Sequence, residues 1–249
     1  MRPVGRAIAD FKMINEGDRI LLGVSGGKDS LSLLLILHHL KQYAPVKFQL
    51  GAITVDPQID GFEPSPLKEY LANLGIPYFY QEQAILEQAE DAMDGDSFCS
   101  FCSRMKRGIL YTTARKEGYN VLALAQHLDD LAESFLMSAF HNGKLQTMKA
   151  NYLIQAGDIR VIRPLVYARE ALTRAYAKAA QLPVIPDSCP ACFSMPTQRD
   201  HMKQVLAEEE KFNSSLFNNL LTTLKPLMAI DNASGNKDGI KAGDRDEHK

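Results

Sequence analysis

Five short apolar runs alternate with stretches of helical spacing, and that alternation leaves few architectures open. The runs at 19–25, 48–55, 76–80, 121–125 and 159–162 have the length and partly β-branched content of buried strands. Residues 29–43, 67–74, 98–116, 128–140, 170–181 and 198–225 carry apolar positions at helical spacing. Gly75, with Pro77 beyond it, stops the second of these helices. Strands separated by helices cannot meet through tight hairpins, so they pair in parallel beneath crossover helices. The predicted class is α/β, a parallel twisted sheet with helices on both faces. Ligands of such sheets bind outside the carboxyl ends of the strands, near a topological switch point.

The chain has 249 residues, and 45% are hydrophobic, enough for one large core without staples. Residues 1–230 are read as one domain ending in helices. Residues 231–249 turn to Asp, Asn, Gly, Lys and Glu and are expected to be a disordered polar tail. Lys and Arg total 28 against 30 Asp and Glu, a net charge of −2. That balance excludes nucleic-acid binding by bulk positive charge but not by a local basic patch. No apolar run approaches the roughly 18 residues needed to cross a bilayer, and residues 1–10 lack the apolar core of a signal peptide. A cytoplasmic protein without a membrane partner is expected.

The first strand runs into Ser25-Gly26-Gly27-Lys28-Asp29-Ser30, where a helix begins. Two glycines let the backbone approach an anion and turn N–H groups toward it. The helix adds the positive end of its dipole, Lys28 a charge, and Ser25 and Ser30 hydroxyl donors. A bare Gly-Gly is more often only a turn, and this loop is neither a Walker A motif nor Gly-x-Gly-x-x-Gly. The six residues, placed after an apolar strand, resemble the signature of the PP-loop ATP pyrophosphatases, which cut ATP between its α and β phosphates. That resemblance implies an adenine nucleotide alpha hydrolase-like fold. It also implies an ATP site on 25–30, with Lys28 and Asp29 as catalytic residues.

A second element follows the fourth strand, at His127-Leu128-Asp129-Asp130 with Glu133 beyond. It resembles the His-x-Asp-Asp segment of PP-loop enzymes acting on tRNA, with His127 and Asp130 at the nucleotide and the acidic pair near Mg²⁺. Read alone, it is an acidic helix start, where Asp is favoured anyway. Asp56 closes the second strand before Pro57, at the rim of the expected crevice; a turn-forming Asp explains it equally well.

The four cysteines fall in two Cys-x-x-Cys pairs, Cys99/Cys102 and Cys189/Cys192. Thiolates in this spacing suit zinc, an iron–sulfur cluster or redox thiols, and the pairs are too far apart for a compact zinc ribbon. The first pair runs through Ser103-Arg104 to Arg107. Phe140-His-Asn-Gly-Lys-Leu145 and Ile162-Arg-Pro-Leu165 follow, and Gln198-Arg199 comes after the second pair. In this order the elements resemble the tRNA 2-thiocytidine synthetases.

The resemblance implies a 4Fe-4S cluster held by Cys99, Cys102 and Cys192, with Cys189 a spare thiol or fourth ligand. ATP with Mg²⁺ would adenylate C2 of a cytidine, at position 32 of the anticodon loop, and sulfur delivered through the cluster would replace the oxygen. It further implies tRNA as substrate, a cysteine desulfurase as sulfur source and a homodimer as one admissible state. Phe193-Ser194-Met195 departs from the family's Gly-Ser-Gln, and Ala125-Gln126-His127 from its Gly-His-His. Two other readings stay open: a PP-loop enzyme adenylating for an amine nucleophile, with structural zinc on the cysteines, and a nucleotide- or tRNA-binding protein without turnover. Among the basic residues, Arg104, Arg107 and Arg163 lie in motif segments and are the expected phosphate contacts.

Overall fold

A computed structural model describes residues 2–58, 61–84, 98–185 and 197–229, with 98–100 described by their backbone. The elements run α1 (Arg2–Asp10), β1 (Arg19–Gly23), α2 (Lys28–Tyr43), β2 (Gln49–Asp56), α3 (Ser65–Asn73), β3 (Tyr78–Glu82) and α4 (Phe98–Lys116). Then come β4 (Val121–Ala123), α5 (Leu128–Asn142), β5 (Asn151–Leu153), β6 (Arg160–Ile162), α6 (Glu170–Ala179), α7 (Gln198–Phe212) and α8 (Leu216–Met228). The expected tail at 231–249 lies outside the described residues.

One sheet takes the order β3-β2-β1-β4-β6-β5. Every pairing is parallel except the last, where β5 lies antiparallel on β6. The five expected strands are present, and β5 is an addition the alternation did not announce. It reaches β6 through a short turn, with Gly157 at φ +78° and its N–H bonded to the Ile154 carbonyl at 2.8 Å. A connection that short can only join antiparallel neighbours.

Side chains alternate across the sheet with period two. Ile20, Leu22, Ala52, Val121, Ala123 and Ile162 face the larger core, built with residues of α1, α2, α3, α5, α6, α7 and α8. Leu21, Ile53, Leu122 and Val161 face the opposite side, where Leu110 and Ala114 of α4 cover them. Helix α2 is apolar nearly all round because it lies between the sheet and α6. The single helix expected over 198–225 is two. Asn213 accepts the Ser215 N–H at 3.0 Å and ends α7 in extended backbone at φ −130°. That local side-chain bond competes with continuing the helix.

From β1 the chain proceeds to β2 and β3 on one side, and β4 and β6 occupy the other. The switch point therefore lies between β1 and β4, and the loops leaving their carboxyl ends flank it.

Candidate active site

Residues 24–27 carry the chain from β1 into α2. Gly26 has φ +87°, a conformation closed to most side chains, and an added Cβ would meet carbons of Ile185 at 3.1 Å. The loop is braced from within. The Ser30 hydroxyl donates to the Gly27 carbonyl at 3.0 Å and accepts from the Ser25 N–H at 3.2 Å, while the Gly27 N–H reaches the Ser25 hydroxyl at 3.3 Å. Gly27 is the N-cap of α2, and no side chain caps that helix among the described residues. The first-turn N–H groups thus face the switch point with the dipole's positive end behind them, as an anion site requires.

The charged residues of the loop meet α6. Lys28 Nζ lies 2.9 Å from Asp29 Oδ2 and 2.9 Å from Glu170 Oε1. Glu170 also pairs with Arg174 at 2.9 Å and with Lys203 of α7 at 3.0 Å. Burial pulls the Glu170 carboxyl up, but hydrogen bonds from Lys28 and Lys203 outweigh it and hold the carboxyl at about 2, while Asp29 and Glu170 raise Lys28 above its ordinary value against the pull of burial. The Thr173 hydroxyl lies between Asp29 Oδ1 at 2.5 Å and the Glu170 carbonyl at 2.9 Å, and its one proton goes to the nearer and charged acceptor, Asp29. None of Glu170, Thr173 or Lys203 was apparent from sequence. Only the position of Glu170 in a helix's first turn carried any signal, and that signal reads equally as a favourable dipole contact.

His127 caps α5. Its Nδ1 accepts the Asp130 N–H at 3.3 Å, and Asp130 Oδ2 accepts the His127 N–H at 2.9 Å, a reciprocal capping box. The ring's other nitrogen, Nε2, faces Asp29 Oδ2 at 3.8 Å. Asp129 accepts from Arg169 Nε at 3.0 Å and the Glu170 N–H at 2.7 Å, with its Oδ2 3.7 Å from His127 Nδ1. Asp56 ends β2 beside β1, accepts the Gln58 N–H at 2.7 Å and takes the Tyr80 hydroxyl. Ser25, Gly26, Gly27, Lys28, Asp29, Ser30, His127 and Asp130 thus gather at the switch point, with Asp56 at its β2 margin. Among the described residues, no three His, Cys, Asp or Glu side chains converge as a metal site.

Glu133, one turn further along α5, is buried. Burial, with Asp130 beside it, pushes its carboxyl up to about 7, although Arg199 stands 3.8 Å away. Arg163 was expected to contact phosphate. It is buried instead, donating to Gln126 Oε1 at 2.9 Å and the Lys149 carbonyl at 2.6 Å, and so it braces the loop after β4. Arg104 and Arg107 are exposed on α4. Cys102 stands in the second turn of that helix, one turn after position 99. Helix α4 leads into the amino end of β4, so its start lies at the sheet edge that carries the loop. The Cys99 side chain, Cys189 and Cys192 lie outside the described residues.

The model of the PP-loop domain matches residues 2–209. The tRNA-cytidine(32) 2-sulfurtransferase of Geobacter sulfurreducens is 43% identical over 222 residues, covering 89% of this chain and 86% of that protein. The enzyme of the same name from Pectobacterium carotovorum is 39% identical over 247 residues, covering 97% and 79%. Among solved structures, the U34-tRNA thiolase NcsA from Methanococcus maripaludis with its 4Fe-4S cluster superposes with a TM-score of 0.74. It shares 21% identity, and the match covers 91% of this chain and 78% of that one, which establishes a common fold. With that fold, the loop at its switch point and this extent of identity, the chain belongs to the PP-loop family and, within it, to the tRNA-cytidine(32) 2-sulfurtransferases.

Proposed function

We propose that this protein thiolates tRNA, adenylating a cytidine at C2 and then replacing the C2 oxygen with sulfur, with position 32 as the target its relatives' name indicates. The observation that carries the reading is the loop 25–30, an uncapped helix start with Lys28 over it, in a chain 43% identical to a named sulfurtransferase. ATP would lie with its β and γ phosphates on the N–H groups of 27–29. The cytidine O2 attacks the α-phosphorus, and the bond from that phosphorus to the bridging oxygen breaks. Pyrophosphate leaves with the electron pair. The charge it gains is what the helix start and Lys28 stabilise.

Mg²⁺ would enter with the phosphates. Asp29 and Asp130, on opposite sides of the His127 ring, and Asp56 border that space. Cys99 and Cys102, one turn apart on α4, with Cys192 are a soft donor set that suits a 4Fe-4S cluster. When bound, the cluster supplies the sulfur that takes the place of O2, which departs on AMP. Residues 1–230 act as one PP-loop ATPase domain with C-terminal helices. The reading places the work in the cytoplasm, with tRNA as substrate, a cysteine desulfurase upstream and a homodimer admissible. No helix among the described residues is long and apolar enough to cross a membrane.

The test starts with protein purified without oxygen. About four irons and a broad band near 400 nm are expected, as thiolate-held clusters give. With ATP and unmodified tRNA, pyrophosphate should appear, and the digested product should contain cytidine heavier by the exchange of one oxygen for one sulfur. A colourless protein holding about one zinc would sink the sulfur-delivery step in favour of amine transfer. No pyrophosphate with any tRNA would leave a binding protein.

A further inference from the structure

The first turn of α6 grips both charged residues of the loop. Glu170 takes Lys28, and Thr173, one turn on, takes Asp29. That turn is itself fixed from α5. Asp129 Oδ2 accepts the Glu170 N–H at 2.7 Å, and Oδ1 accepts Arg169 Nε at 3.0 Å. Arg169 has no capping side chain of its own for α6, so Asp129 serves as the cap from another helix. Thr173 is buried, and the Ser32 hydroxyl reaches its carbonyl at 3.4 Å, which sets α6 against α2 close to the loop.

We propose that Thr173 is a positioning residue, and that Asp129, by capping α6, holds Thr173 in place to aim the Asp29 carboxylate. A hydroxyl on Oδ1 fixes the rotation of the carboxylate and leaves Oδ2 facing Lys28 Nζ at 2.9 Å and His127 Nε2 at 3.8 Å. Without that bond Asp29 is held only through Oδ2, by Lys28, and the rotation of its carboxylate is no longer fixed where the phosphates arrive. The carboxylate after the loop lysine is thus set by a residue 144 positions later in the chain. On this account, half of the Asp-Asp pair in α5 serves the loop through α6. The inference deepens the proposed adenylation and rests on that reading for its kinetic consequence alone.

Thr173→Val keeps the shape and removes the hydroxyl; Thr173→Ser restores it. Hydrogen exchange of the loop amides, read by mass spectrometry on the full chain without ligand, needs no activity. Loss of one hydrogen bond of ordinary net strength predicts about tenfold faster loop exchange in Thr173→Val, near wild-type exchange in Thr173→Ser, and, since Asp29→Ala removes the accepting oxygen, no added effect of Thr173→Val in an Asp29→Ala background. In pyrophosphate release, Thr173→Val should lower kcat about tenfold and leave the KM for ATP within about threefold, since the loss is mainly in the transition state. Thr173→Ser should recover the rate. Unchanged loop exchange, additive effects with Asp29→Ala, or equal loss in the Val and Ser variants would overturn the proposal. A wild-type protein that releases no pyrophosphate with tRNA would sink the thiolation reading, while the exchange data still decide the positioning role.

Discussion

The carbonyl of Gly26 accepts a hydrogen bond from the Ile185 N–H at 3.0 Å, so the phosphate loop is tied to the segment that follows α6. Ile185 also fills the space above Gly26 where a side chain would go. Gly26→Ala therefore meets two costs, the positive φ and the clash with Ile185. Together they should cost on the order of 1–3 kcal/mol and drop pyrophosphate release at least tenfold. Pairing it with Ile185→Ala should recover the clash but not the backbone strain, so the double variant should regain only part of the rate. Thermal midpoints and initial rates of the three proteins check this.

Lys28 carries the only side-chain charge within the six-residue loop apart from Asp29, its own ion partner. Lys28→Met should lower kcat for pyrophosphate release by about 10²–10³, the usual loss when a donor to developing charge is removed. It should barely change folding stability. Glu170, which loses Lys28, keeps Arg174 and Lys203 and is not stranded as a buried unpaired charge. A large fall in the thermal midpoint with an intact rate would contradict this division of roles.

What the sequence disclosed and what it hid follow from range. The loop 25–30 was legible because its function is local: a strand end, two glycines and a helix start are contiguous. His127 and Asp130 were legible for the same reason, since both stand within four consecutive residues of one motif segment. Asp129 shares that segment, yet its partners are Arg169 and Glu170, forty and forty-one positions away, and no local pattern reveals them. Lys203 reaches Glu170 only because α7 packs on α5. Helix α1 went unread although Val4, Ala7 and Ile8 keep helical spacing, because it is only nine residues long and carries Pro3 and Gly5, both poor helix formers. Strand β5 has three residues, too short to alternate. Arg163 misled because a motif arginine suggests phosphate, whereas burial decides that it serves the backbone of Lys149.

Glu170 should dominate part of the acid limb of stability. Its folded value of about 2 lies below the ordinary 4.5, so the unfolded chain takes up the proton first as the pH falls. The stabilisation is complete above about pH 4.5 and is lost as the pH drops toward 2. Glu170→Gln removes that titration. Thermal midpoints from pH 6 down to 2.5 should fall more steeply for wild type than for the variant, and parallel curves would show that the triple ion pair contributes little.

Glu133 should act in the opposite direction. Burial holds its carboxyl protonated to about 7, while the unfolded chain releases the proton near 4.5. Its contribution is therefore fully present below about pH 4.5 and is lost as the pH rises through 7, because the unfolded state then sheds the proton more readily. Glu133→Gln keeps a neutral side chain of the same shape at every pH. Relative to wild type, this variant should gain stability between pH 5 and 8, by at most about 3 kcal/mol for a shift of this size. The gain should be smaller if the Arg199 guanidinium, 3.8 Å away, moves in to pair with the ionised carboxylate. Denaturant midpoints for both proteins at pH 5 and pH 8 separate these cases. Equal midpoints at pH 8 would mean that Arg199 closes fully on Glu133, and adding Arg199→Ala should then expose the destabilisation in the wild-type background.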